Sequence, residues 1–229
     1  SEITYDGSST AAVKASASVD GKIYYGTSTS MGSNKSASAN TEYTLATRND
    51  AGTTTVYAAF VPTDTTNYIS LGSSSSYKKS ASAKVNAATP TLTFTASTST
   101  LTYSGSAQDI GTISYIGDGK FSYVVSTSTT APSTGWTEAS SGTTIKSSAA
   151  TATTYYVYLK STAGTNYVAA SAASKGSKAI GKATPTLTLQ GNTNIPYDGD
   201  THYASATSQV AGTIYYGLTS ATMSNTKSV

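Results

Sequence analysis

Cysteine is absent from the chain, which removes a disulfide framework, thiolate metal sites and a thiol nucleophile in one step. A cysteine-free exported domain must be held by its apolar core alone, which suits units of roughly 95 residues better than mini-proteins. Charge is scarce at 11% of residues. The net +3 is spread without a basic run, so the clustered footprint that nucleic acid requires is missing. The longest apolar runs, such as Val56 to Val61, are far too short to span a bilayer. Ser1-Glu2-Ile3-Thr4 does not read as a signal peptide, so an export signal or anchor is expected elsewhere in a longer polypeptide.

Groups that trade protons are equally few. His202 is the only histidine. It stands beside Asp200 with no Gly-x-Ser-x-Gly context nearby, and reads as an exposed loop residue rather than a catalytic base. Several of the eleven acidic residues fall in Asp-Gly turns, where a turn role accounts for them without a paired-carboxylate site. The chain is therefore expected to be no enzyme, with no cofactor and no metal.

What the chain does have is 39 Ser, 43 Thr and 18 Tyr. Thr, Tyr and Val favour a pleated, half-buried surface, so the bias points to strands rather than to disorder. No helical periodicity of any length is present, and the Ser/Thr content would weaken a helix.

An internal repeat organises this material. Ile3-Thr4-Tyr5-Asp6-Gly7 recurs as Leu101-Thr102-Tyr103-Ser104-Gly105 and as Ile195-Pro196-Tyr197-Asp198-Gly199, at offsets of 98 and 94. Asp20-Gly21-Lys22-Ile23-Tyr24-Tyr25 matches Asp118-Gly119-Lys120-Phe121-Ser122-Tyr123 and Ala211-Gly212-Thr213-Ile214-Tyr215-Tyr216. Thr66-Asn67-Tyr68 returns as Thr165-Asn166-Tyr167, and Ala88-Thr89-Pro90-Thr91-Leu92-Thr93 as Ala183-Thr184-Pro185-Thr186-Leu187-Thr188. Proline is tolerated at a strand start or in a linker, so the last element marks the boundaries. They define repeat 1 (1–88, first strand missing), repeat 2 (89–183, complete) and repeat 3 (184–229, N-terminal half only). A copy missing half its strands cannot close a sandwich, so repeat 3 is expected to be disordered, unfinished or completed by another chain.

Turn signals come about every ten residues, as an all-β sandwich requires. Asp-Gly pairs predict positive-φ glycines in tight hairpins. Alternation in the long strands places Val56, Ala58, Phe60, Ile23 and Tyr25 in the first core and Tyr155, Val157, Leu159, Phe121 and Tyr123 in the second. It turns Tyr57, Tyr156, Tyr158 and Lys160 outward. The fold class is all-β: tandem immunoglobulin-like sandwiches of about seven antiparallel strands each.

At Tyr5-Asp6-Gly7, at Val56-Tyr57-Ala58-Ala59-Phe60-Val61-Pro62-Thr63-Asp64-Thr65-Thr66-Asn67-Tyr68 and at Lys84-Val85-Asn86-Ala87-Ala88-Thr89-Pro90, the chain resembles bacterial immunoglobulin-like repeats of the Big/YDG type. These occur in surface adhesins and in related phage structural proteins. Repeat 2 departs from the pattern at Ser104 and Ala163. The resemblance implies a non-catalytic structural or adhesive module of a larger exposed protein, acting as stalk or spacer among neighbouring repeats. It places the chain outside the cell, on a bacterial surface or, as the alternative, on a virion.

A surface glycan or protein receptor is the implied partner, and a carbohydrate-binding module is a further alternative. Trp136, the only tryptophan, follows Pro132-Ser133-Thr134-Gly135 in a predicted loop, where an aromatic ring can stack on a sugar or anchor an interface. Tyr57, Tyr156 and Tyr158 join it as candidate binding residues because tyrosine supplies contact area at small entropic cost. Asp64, Asn67 and Asp198 could touch calcium between loops, but no Asp-x-Asp-x-Asp run supports such a site. Lys14 and Asn86 could form an isopeptide bond, yet Thr112 replaces the lysine in repeat 2.

Overall fold

The computed structural model describes residues 3–8, 11–26, 43–44, 50–69, 79–191, 194, 196–200, 202 and 204–216. Every regular element among them is a strand, and none is a helix long and apolar enough to cross a membrane. The strands are β1 (Ile3–Thr4), β2 (Ala11–Val13), β3 (Gly21–Gly26), β4 (Tyr43–Thr44), β5 (Gly52–Pro62) and β6 (Lys79–Asn86). They continue as β7 (Thr91–Ala96), β8 (Leu101–Thr102), β9 (Asp109–Ile116), β10 (Phe121–Ser126), β11 (Thr137–Glu138) and β12 (Thr144–Lys146). The last are β13 (Thr154–Ser161), β14 (Ala170–Gly181), β15 (Leu187–Gln190) and β16 (Ser205–Ser208).

Between residues 91 and 181 the strands form a five-stranded sheet, β11-β10-β13-β14-β8, and a three-stranded sheet, β12-β9-β7. Both contribute to one core. Leu92, Phe94, Ile110, Ile113 and Ile145 come from the small sheet, and Phe121, Tyr155, Val157, Leu159 and Ile180 from the large one. Alternation produces this directly: in β7 the leucine and phenylalanine are buried and the threonines between them are exposed. Truncating a fully buried residue such as Ile110 to alanine costs roughly 2–5 kcal/mol, so each of these ten side chains carries a sizeable share of the stability.

The same strand order occurs earlier in the chain. β1-β6-β5-β3 follows the pattern of β8-β14-β13-β10, while β2 pairs with β4 as β9 pairs with β12. Later, β15 pairs antiparallel with β16 as β7 does with β9. Two pairings depart from the all-antiparallel expectation. β1 runs parallel to β6 (Ile3↔Val85) and β8 runs parallel to β14 (Leu101↔Ile180). In each case a two-residue strand crosses to the long last strand and covers its edge, which would otherwise present unpaired backbone groups.

The predicted core of residues 91–181 is close to that observed, with Tyr123 half-buried. The earlier one differs. Val56 is buried, but Ala59 rather than Ala58 accompanies it, and Ala58, Phe60, Ile23 and Tyr25 are half-buried. Ile23, Ala58 and Phe60 line a groove of about 420 Å³, which accounts for their partial exposure. Tyr158 also departs from prediction. It is 2% exposed, because the segment after β10 folds over the outer face of the sheet and the Tyr158 hydroxyl donates to Ser128 O at 2.9 Å.

The glycines of the repeated motifs divide into two kinds. Gly7, Gly105 and Gly199 share left-handed φ values of 78°, 80° and 82°, which a side chain would strain. Gly119 has no such φ; a Cβ there would collide with the Thr162 carbonyl at the adjacent end of β13, so close approach explains it.

Candidate functional site

The aromatic candidates are spread over the structure. Trp136 is half-buried, its indole N–H donates to Pro132 O at 3.1 Å, and Lys160 Nζ lies 4.1 Å from the ring centroid. The ring thus folds onto the outer face of the large sheet and holds the lysine by a cation–π contact. Tyr156 and Tyr158 lie in β13 of that sheet, half-buried and buried respectively, whereas Tyr57, half-buried, belongs to β5. Tyr57 lies in a different sheet from Tyr156 and Tyr158, so the four residues span two surfaces.

The charged candidates act locally. Asp64 Oδ1 accepts the N–H groups of Thr66 and Asn67 at 3.0 and 3.1 Å, and its Oδ2 accepts Asn67 Nδ2 at 2.7 Å. The Asn67 side chain, followed by its N–H, holds the Asp64 carboxyl below the ordinary carboxylate range. Asp6 is lowered in the same way by the Ser8 hydroxyl and then its N–H. Asp198 is lowered by the N–H of Asp200 and then by His202, whose Nε2 lies 2.9 Å from its Oδ1. Among the described residues no group of three His, Asp or Glu side chains is placed to hold a metal.

One polar and aromatic cluster does bring distant segments together. The loop between β13 and β14 carries Asn166 and Tyr167, and it meets four earlier parts of the chain. Asn166 Oδ1 accepts Ala51 N–H at 2.6 Å, its Nδ2 donates to Asp50 Oδ1 at 3.1 Å, and its own N–H donates to Asp118 Oδ2 at 2.6 Å. The Tyr167 ring meets Tyr5 edge to face, with centroids 5.5 Å apart and planes at 78°. Ala88 bonds across to the loop twice, donating to Asn166 O at 2.8 Å and accepting Val168 N–H at 2.9 Å. Asp50, Ala51 and Tyr5 flank the β1-β6-β5-β3 sheet, whereas Asp118 and the loop belong to the 91–181 unit. The cluster is therefore a junction.

No protein-family model matches the chain, and no curated protein matches it.

Both polar atoms of the Asn166 amide, Oδ1 and Nδ2, are engaged across this junction, and an edge-to-face aromatic pair contributes about 0.5–1.5 kcal/mol beyond the area it buries. Such a cluster joins the two units by hydrogen bonds and a ring contact. It fixes the position of one sheet unit on another. Sequence reading identified Thr165-Asn166-Tyr167 as a repeated element without a role. The usable signal was that the motif recurs in a loop, where neither core packing nor a left-handed glycine explains its retention in both copies.

Proposed function

We propose that the chain is a row of immunoglobulin-like sandwiches serving as a rigid spacer within a larger, exposed protein. Four observations support the immunoglobulin-like reading. The sheet β11-β10-β13-β14-β8 faces β12-β9-β7, as the C, F and G strands face A, B and E in that fold. Tyr155, near the start of β13, is completely buried and its hydroxyl donates back to Ala149 O at 2.7 Å, as a tyrosine corner does. Val157, two residues on, stands where antibody domains carry a cysteine, so apolar packing replaces the disulfide. The strand order recurs at the sequence repeat.

The single observation that carries the spacer role is the Asn166–Tyr167 junction, because two units fixed to each other by four hydrogen bonds and a ring pair resist bending in a way that a linker alone does not. Thr89-Pro90 adds stiffness to the connection. The surroundings implied by the resemblance to bacterial immunoglobulin-like repeats are extracellular, on a bacterial envelope or a virion.

Small-angle X-ray scattering of the whole chain tests this. A compact globule of 229 residues has a radius of gyration of about 17 Å. A row of units must exceed that clearly and show an elongated distance distribution; a value at the globular limit with a symmetric distribution sinks the spacer reading.

A further inference from the structure

Force, unlike heat, enters a folded unit where the chain enters and leaves it, so the first and last strands decide how it yields under tension. In the 91–181 unit these strands run side by side in the same direction. The Phe94 ring of β7 lies so close to Gly176 of β14 that a Cβ there would meet it at 3.0 Å. Further along, Lys178 Nζ donates to Ser97 O at 2.6 Å. Leu101 and Thr102 of β8 then pair in parallel with Ile180 and Gly181, and Tyr103 N–H donates to Gly181 O at 2.9 Å. Positions rise together on both sides, from Phe94 beside Gly176 to Tyr103 beside Gly181, so the whole β7–β8 passage is parallel to the end of β14.

The chain continues on both sides of this unit, through Thr89-Pro90 and through Lys182-Ala183, so tension reaches it from either side. It draws β7 and β8 toward Pro90 and β14 toward Lys182. For parallel strands these pulls are opposed along a common axis, so β8 and β14 are sheared and their ties must yield together. The neighbouring ladders are loaded in the same way. β7 is drawn lengthwise along β9, from Thr91↔Ile116 to Ala96↔Gly111, and β14 lengthwise along β13, from Thr154↔Ala179 to Ser161↔Ala170. The earlier sheet repeats the crossing, with β1 parallel to β6 and Tyr5 N–H donating to Asn86 O at 2.9 Å. The lysine tie is not repeated, because Ala83 holds the position of Lys178.

We infer that the 91–181 unit is a mechanical clamp, which holds tension applied along the chain by shearing the β7–β8 passage against β14. The inference rests on the spacer reading, since only a row of units passes tension from one to the next. It goes beyond that reading because a spacer need only resist bending, whereas a clamp resists being pulled open.

The direction of pulling separates a clamp from mere stability, because forced unfolding is governed by the unfolding barrier and not by the equilibrium free energy. The chain lacks cysteine, so handles attach only where one is introduced. In the full chain, Thr89→Cys/Lys182→Cys loads the unit end to end, whereas Ser104→Cys/Lys182→Cys pulls on the neighbouring ends of β8 and β14 and peels them apart. All three positions are exposed. At one loading rate in an optical trap, the end-to-end pair should rupture at a force several-fold higher than the peeling pair. Lys178→Met should lower the first force and leave the second, since its tie to Ser97 adds only to bonds that are loaded together. Equal forces in the two directions overturn the inference, as does Lys178→Met lowering both alike. Small-angle scattering of the same chains keeps the clamp and the spacer apart. An elongated particle with equal forces removes the clamp alone; a globular particle removes the spacer.

Discussion

Tyr155 combines a ring sealed in the core with a hydroxyl that bonds to backbone at two places, donating to Ala149 O at 2.7 Å and accepting Thr151 N–H at 3.3 Å. Ser161 is its opposite. It is 6% exposed, and its hydroxyl has no hydrogen-bond partner among the described residues. Removing a buried hydroxyl that bonds others leaves those groups unmet, whereas removing one that bonds nothing costs little. Tyr155→Phe is therefore expected to destabilise the 91–181 unit by about 1–2 kcal/mol, and Ser161→Ala to leave it unchanged or more stable. Urea unfolding of the two variants, compared with the parent at constant slope, checks both signs; a loss of more than about 1 kcal/mol in Ser161→Ala contradicts the assignment. Alternation along β13 was enough to place Tyr155 in the core. Its hydroxyl partners were not legible, because they belong to an irregular corner whose path no periodicity encodes.

Elements show the same division between pattern and context. The strands of residues 91–181 were legible because Thr91-Leu92-Thr93-Phe94 and Tyr155-Tyr156-Val157 alternate cleanly, and a period of two fixes which face is buried. Tyr158 obeyed that period yet became buried from the other side by a loop, and a loop's path is not written in the strand it covers. The parallel crossings of β1 and β8 were invisible for a related reason: two residues carry too little pattern to reveal a partner. Among loops, the turn at Thr65 to Tyr68 is held by one carboxylate, and its behaviour in acid follows from that. Asp64 lies below its ordinary value of 3.8, so its contribution to turn order is complete above that value and is lost as pH falls through the lowered pKa. The amide resonances of Thr66 and Asn67 should therefore titrate together at a pH below the ordinary aspartate value, and Asp64→Ala should remove the transition. A midpoint at or above the ordinary value would contradict the bonding described.

At the scale of the whole molecule, the proposed spacer role depends on whether the two sheet units move as one body. Thr-Pro linkers alone limit bending only loosely, and an isolated surface hydrogen bond contributes little. Asn166 and Tyr167 act together on Asp50, Ala51, Ala88 and Tyr5, so their effects should be coupled rather than additive. Neither residue belongs to the core cluster of its own unit, which means that their truncation should free the junction without unfolding either side. Residual dipolar couplings of the whole chain are the direct measure. In the parent, amides of β5–β6 and of β13–β14 should fit one alignment tensor. In Asn166→Ala/Tyr167→Ala they should require two, while chemical shifts within each sheet stay in place. If the double variant still fits a single tensor, the linker rather than the loop sets the geometry, and the junction is contact without consequence. If the parent already needs two tensors, the units are hinged and cannot serve as a rigid spacer.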